Sequence, residues 1–135
     1  MDRYLVIEPS GDLRWIHCHR DGLLDAFYSA IGCDCVENVY SIFSPICLIV
    51  DESDRIKHPP QVHNSLASRL YSGFFRGCDD IVGPCVLVAM RRCDNEYGDM
   101  DWFPLNDDEL TVLSIYLGIN IPNFPVMFSE DPNES

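Results

Sequence analysis

"DDIVGPCVLVAM", residues 79–90, decides the fold. From Ile81 to Met90 the run is apolar except at Gly83-Pro84. A strand with one wet face alternates apolar and polar residues. A near-continuous apolar run is expected of a strand covered on both faces. Pro84 has no N–H for a ladder, so Gly83-Pro84 predicts a bulge or a strand start. "PICLIVDES", residues 45–53, has the same character from Ile46 to Val50. These two runs are the expected central strands of one sheet.

The other elements follow outward from them. "YLVIEPSGDLRWIHCHR" predicts a hairpin, with strands at 4–8 and 13–18 around the turn formers Pro9, Ser10 and Gly11. Asp21 is placed to cap a helix running to about Ile31. Its apolar face comprises Leu23, Leu24, Phe27, Tyr28 and Ile31, and Gly32 stops it. "CVENVYSIFS" reads as a strand broken near Ser44-Pro45. Pro59-Pro60 excludes regular helix from the polar connection "DESDRIKHPPQ". Asn64 predicts an N-cap for the short helix "SLASRLY". "DWFP" reads as an edge strand. Asn106 and Glu109 have capping-box spacing, followed by the stripe Leu110, Leu113, Tyr116, Leu117 and a stop at Gly118. The order predicts an α+β fold, with a mostly antiparallel or mixed sheet of about five strands and two to three helices. At 135 residues the chain suits one domain, expected over 1–121. A Pro-containing tail, 122–135, is expected to pack partly and then move freely.

Charge separates the chain into two parts. Residues 1–93 hold 12 acids and 9 bases, whereas residues 94–135 hold 10 acids and no base, for a net charge of −13. Such a field repels nucleic acid and attracts basic surfaces. There is no apolar run of transmembrane length, and "MDRYLVIEPSG" lacks a signal peptide's apolar segment. The expectation is a cytoplasmic protein without membrane contact or cofactor. Seven cysteines, an odd number in mostly apolar surroundings, predict reduced thiols, with Cys47 and Cys85 in the core.

Five segments, in order, carry a family resemblance: "VIEPSG", "LIVDES", "PPQVHN", "DDIVGP" and "PLNDDEL". Over residues 4–117 the chain resembles a domain-of-unknown-function family found in phages, prophages and conjugative elements of bacteria. The resemblance implies no catalytic residues. It implies a context of accessory genes, many of which act on host defences.

"NEYGDMDWFPLNDDEL", residues 95–110, holds six acids, three aromatics and no Lys or Arg. Acids at a helix start are ordinary capping chemistry, which accounts for Asp107, Asp108 and Glu109. It does not account for carboxylates alternating with Tyr97, Met100, Trp102 and Phe103. Aromatics and Met anchor interfaces, and spaced carboxylates steer toward a basic partner. The expected partner-binding set is Glu96, Tyr97, Asp99, Asp101, Trp102, Asp107, Asp108 and Glu109. The corresponding function is non-enzymatic inhibition of a host defence protein, a CRISPR effector or restriction enzyme, by covering its basic surface. An alternative is a small-ligand binder that sequesters a nucleotide signal with Lys57, His58, His63, Arg69 and Arg76 near "YSGFFRGCDD". A third reading is a zinc or thiol enzyme. His17, His19, Cys33 and Cys35 have zinc-ligand chemistry, but their spacing matches no standard zinc module. Cys78 is the most loop-like thiol, with Asp79 and Asp80 opposing the help of Arg76.

Overall fold

A computed structural model describes residues 1–53, 62–71 and 80–124. Among them the strands are β1 (Asp2–Ile7), β2 (Leu13–Cys18), β3 (Val36–Tyr40), β4 (Ile46–Asp51), β5 (Cys85–Arg92) and β6 (Met100–Phe103). The helices are α1 (Leu23–Ile31), α2 (Ser65–Leu70) and α3 (Asp107–Leu117). The sheet order is β2-β1-β5-β4-β3, and every strand pair is antiparallel. The fold is therefore the expected α+β type, with six described strands rather than about five.

The apolar runs behave as the doubly covered strands they resemble. All six residues of β4 are buried, and Cys85 through Ala89 of β5 are 0 % exposed. Leu48, Val50, Cys85 and Leu87 point to one face, where Leu70 of α2 and Leu110, Leu113 and Leu117 of α3 meet them. Cys47, Ile49, Val86 and Val88 point to the other, against Leu23, Phe27 and Ile31 of α1. The strict alternation in side-chain direction along a strand makes one run serve two cores. Helices thus form a layer on each side of the sheet.

β5 organises the sheet edge that faces away from β4. Leu87 pairs with Leu48 on one side and Leu5 on the other, and Ala89 pairs with Ile46 and Phe103. β1 and β6 therefore occupy successive lengths of the same β5 edge. β4 pairing ends at Ala89, so Arg91 and Arg92 continue with β6 as a two-stranded ribbon.

One local expectation is corrected and another is met. Asp21 does not cap α1. It lies in a single 3-10 turn, Arg20–Gly22, and the helix starts at Leu23 with Gly22 as N-cap. The strand start expected at Gly83-Pro84 is found there, with β5 beginning at Cys85. Val82 forms an isolated bridge to His63, and the turn at Gly83-Pro84 precedes the strand. Asn64, the Asn106–Glu109 box, Gly32 and Gly118 act as the sequence predicts. No helix among the described residues is long and apolar enough to cross a membrane.

Candidate functional site

The segments that carry the family resemblance have structural work. Asn64, from "PPQVHN", is fully buried. Its Nδ2 donates to the carbonyl of Ile7 at 3.0 Å and to that of Gly83 at 2.9 Å. Its Oδ1 accepts the Ala67 N–H at 3.1 Å, closing the start of α2. One side chain thus joins "VIEPSG", "DDIVGP" and α2. In "LIVDES", Asp51 Oδ1 accepts both the backbone N–H and the hydroxyl of Ser53 at 2.9 Å, shaping the turn after β4. In "PLNDDEL", the Asn106 and Glu109 side chains accept each other's backbone N–H at 2.8 Å. These motifs hold turns and helix starts.

The acidic stretch divides among three places. The first is the β5–β6 turn, shaped by Asn95, whose Oδ1 accepts the N–H of Tyr97 at 3.1 Å and of Gly98 at 2.8 Å. Gly98 sits at φ +63, in the left-handed region that favours glycine. The turn exposes Asp94, Glu96 and Asp99, with Tyr97 at 78 % and Met100 at 53 % exposure. The adjacent arginines make contacts other than ion pairs to these acids. Arg91 pairs with Glu109, and Arg92 donates to the Gly98 carbonyl at 2.8 Å. Among the described residues, Asp94, Glu96 and Asp99 have no ion pair.

The second place is the base of the ribbon. Asp101 pairs with Arg20 at 2.6 Å, and Arg20 also donates to the Trp102 carbonyl and lies over the Phe103 ring. Trp102 is half-buried. Its ring packs against Phe27 with centroids 5.8 Å apart, and its indole N–H donates to Asn38 Oδ1 at 3.0 Å. Trp102 therefore holds the ribbon down and is not a projecting anchor. Beside it is an open hollow of about 560 Å³ lined by Leu24, Met90, Met100 and Trp102, with Arg20, Asp21 and Asp101 at its margin. Sequence reasoning missed Leu24 and Met90. It assigned Leu24 to the buried face of α1, yet Leu24 is 47 % exposed while its neighbour Leu23 is buried. The Leu23-Leu24 doublet was the signal, since adjacent helix residues stand about 100° apart and a helix that buries a narrow stripe turns one of the two outward.

The third place is the start of α3, which packs on the opposite face of the sheet from α1. Asp107 and Asp108 are exposed there. Glu109 is 9 % exposed and committed to Arg91 and the capping box, so it has no surface to offer. The eight expected residues therefore do not share one face.

The alternative sets are described only in part. Lys57, His58, Arg76 and Cys78 lie outside the described residues. His63 pairs with Asp80 at 3.0 Å. Arg69 donates to the carbonyls of Tyr116 and Leu117 at the end of α3. His17 and His19 are exposed at the β2 end, and Cys35 donates to Glu52 at 3.0 Å. No group of three or more His, Cys, Asp or Glu among the described residues is arranged to hold a metal, and His17, His19, Cys33 and Cys35 are not brought together as one. The six described cysteines are thiols, and burial pushes the Cys85 thiol far above its ordinary range.

No curated protein and no solved structure matches the chain. A family model, "Domain of unknown function (DUF3846)", matches residues 1–102, which takes in β1 through Trp102 of β6 and leaves α3 outside. Three quarters of the sequence thus follows that pattern, and the chain belongs to the DUF3846 family.

Proposed function

We propose that this chain is a non-enzymatic interaction protein that docks on a basic surface of another protein. The docking face is the 93–101 turn together with the hollow beside Trp102. One observation carries this reading: three exposed carboxylates with no ion pair among the described residues, Asp94, Glu96 and Asp99, share a turn fixed by Asn95 with the exposed Tyr97, and the exposed Met100 follows. An apolar centre with a charged margin is the anatomy of a specific interface, and the unpaired carboxylates supply steering.

The finer reading concerns the partner. Carboxylates spaced along a ribbon can occupy the positions that phosphates take on a nucleic-acid-binding surface. The proposed partner is a defence protein of a bacterial host, such as a CRISPR effector or restriction enzyme, covered in the host cytoplasm by the product of a phage or other mobile element. The acidic field and the resemblance to such accessory proteins support it.

The test starts with capture of partners from host lysate on the immobilised chain, identified by mass spectrometry. Affinity is then measured for the wild type and for Glu96→Lys/Asp99→Lys across salt. The reading expects a basic partner, affinity that falls with salt, and at least about tenfold weaker binding by the double reversal. A partner bound equally well by both proteins and at all salt concentrations would overturn it.

A further inference from the structure

α3 is apolar on two sides. Its inner face, Leu110, Leu113 and Leu117, is buried in the core. At 3.6 residues per turn, Asp108, Val112, Ile115 and Tyr116 form a second stripe on the opposite side. Val112 is 39 %, Ile115 59 % and Tyr116 39 % exposed. Phe43 extends this stripe by packing edge-on against Tyr116, with ring centroids 4.9 Å apart. A helix bearing apolar residues on its wet side has a surface suited to burial against a second body.

The charges at the ends of the stripe indicate which body. Exposed Asp108 lies at the start of α3 with no ion pair among the described residues. At the other end, exposed Arg69 lies over the Tyr116 ring and donates to the carbonyls of Tyr116 and Leu117. Asp108 and Tyr116 are roughly 12 Å apart along the axis, too far for Asp108 to meet Arg69 within one chain. An antiparallel copy of the stripe places each Asp108 beside the other chain's Arg69, with Val112 and Ile115 packed between. The helix dipoles then also oppose favourably. Self-complementarity of this kind is what a two-fold interface requires.

We propose that the outer stripe of α3 is a self-association surface, through which two copies pair about a two-fold axis with Asp108 of each chain against Arg69 of the other. The contact is separate from the 93–101 turn, so it stands or falls independently of the partner reading. Sedimentation of the full chain across the micromolar range tests it, with melting temperatures confirming that each variant is folded. A reversible dimer is expected. Ile115→Lys should weaken it at least about tenfold, as loss of an apolar anchor does. Asp108→Arg should weaken it, and Arg69→Asp combined with Asp108→Arg should restore it, a rescue open only to an intermolecular pair. A chain that is monomeric throughout overturns the proposal and leaves the stripe to a different protein. So does a dimer indifferent to Ile115→Lys, or a charge exchange that restores nothing.

Discussion

The two ends of β5 are built under opposite demands. From Cys85 to Ala89 every side chain is fully buried, with β1 and then β6 on one edge and β4 on the other. Three residues past Ala89, Arg92 is exposed and the chain enters a turn that displays carboxylates and an aromatic ring. The change coincides with the last β4 pair, at Ala89. Beyond it β5 and β6 form a two-stranded ribbon, an arrangement that is marginal in water without support. Trp102 on Phe27 and Arg20 on Asp101 and Phe103 provide that support. The buried end fixes position, and the projecting end is thereby free to carry charge at little cost to the fold.

Breaking the buried end should produce the largest effect. Leu87 faces the core under α2 and α3, so Leu87→Asp places an unpaired carboxylate there. The expected loss is at least about 3 kcal/mol. Chemical denaturation followed by circular dichroism measures it, and a loss under 1 kcal/mol would mean that the strand is not interior. Asn64 sharpens the same point from the side. Asn64→Ala removes three buried hydrogen bonds and leaves the Ile7 and Gly83 carbonyls without this donor. We expect a loss of about 2–4 kcal/mol. A near-neutral Asn64→Ala would show that the three segments hold together without it.

The ribbon's anchor is next. Trp102→Ala removes the stack on Phe27 and the bond to Asn38, and should cost about 2 kcal/mol of stability. Unchanged stability with weakened partner binding would return Trp102 to the role of interface anchor that the sequence suggests.

How far the sequence could be read follows the same division. Ile46–Val50 and residues 85–90 revealed their place because double burial leaves a short, β-branched apolar run, and the flanking prolines mark it as a strand. Asn64 and Asn106 were legible as caps, since capping is local chemistry. What Asn64 reaches across the chain was not legible, because Ile7 and Gly83 join it only after folding. The acidic stretch read as one surface for the reverse reason. Charge and aromatic content are sums along the chain, whereas Arg91 on Glu109, Arg20 on Asp101 and Trp102 on Phe27 are tertiary pairings that divide it.

The thiols give a contrast in reactivity. Cys85, at the buried end of β5, should resist a thiol reagent until the protein unfolds. Cys35 is exposed, but its Sγ–H donates to Glu52, and the nearby carboxylate disfavours the thiolate and raises its pKa. Because the thiolate is the reacting form, Cys35 should react more slowly than an ordinary exposed thiol near neutral pH and accelerate as pH rises. Glu52→Gln should speed it at pH 8. A slower reaction in that variant would contradict the assigned cause.

The smallest stability effect is expected at the projecting tip, where its absence carries the meaning. Glu96 and Asp99 are exposed and have no ion pair among the described residues. Reversing both to Lys therefore breaks no ion pair among the described residues and relieves some repulsion within a chain of net charge −13. The change in unfolding free energy should stay within about 0.5 kcal/mol. Asp101 is a poorer test residue, because its pair with Arg20 ties the ribbon base to the turn before α1. If Glu96→Lys/Asp99→Lys unfolds the protein or lowers its stability by more than about 1 kcal/mol, the tip belongs to the fold and the contrast between the two ends of β5 fails. If stability holds while binding to a basic partner collapses and loses its salt dependence, the carboxylates act across an interface and not within the chain.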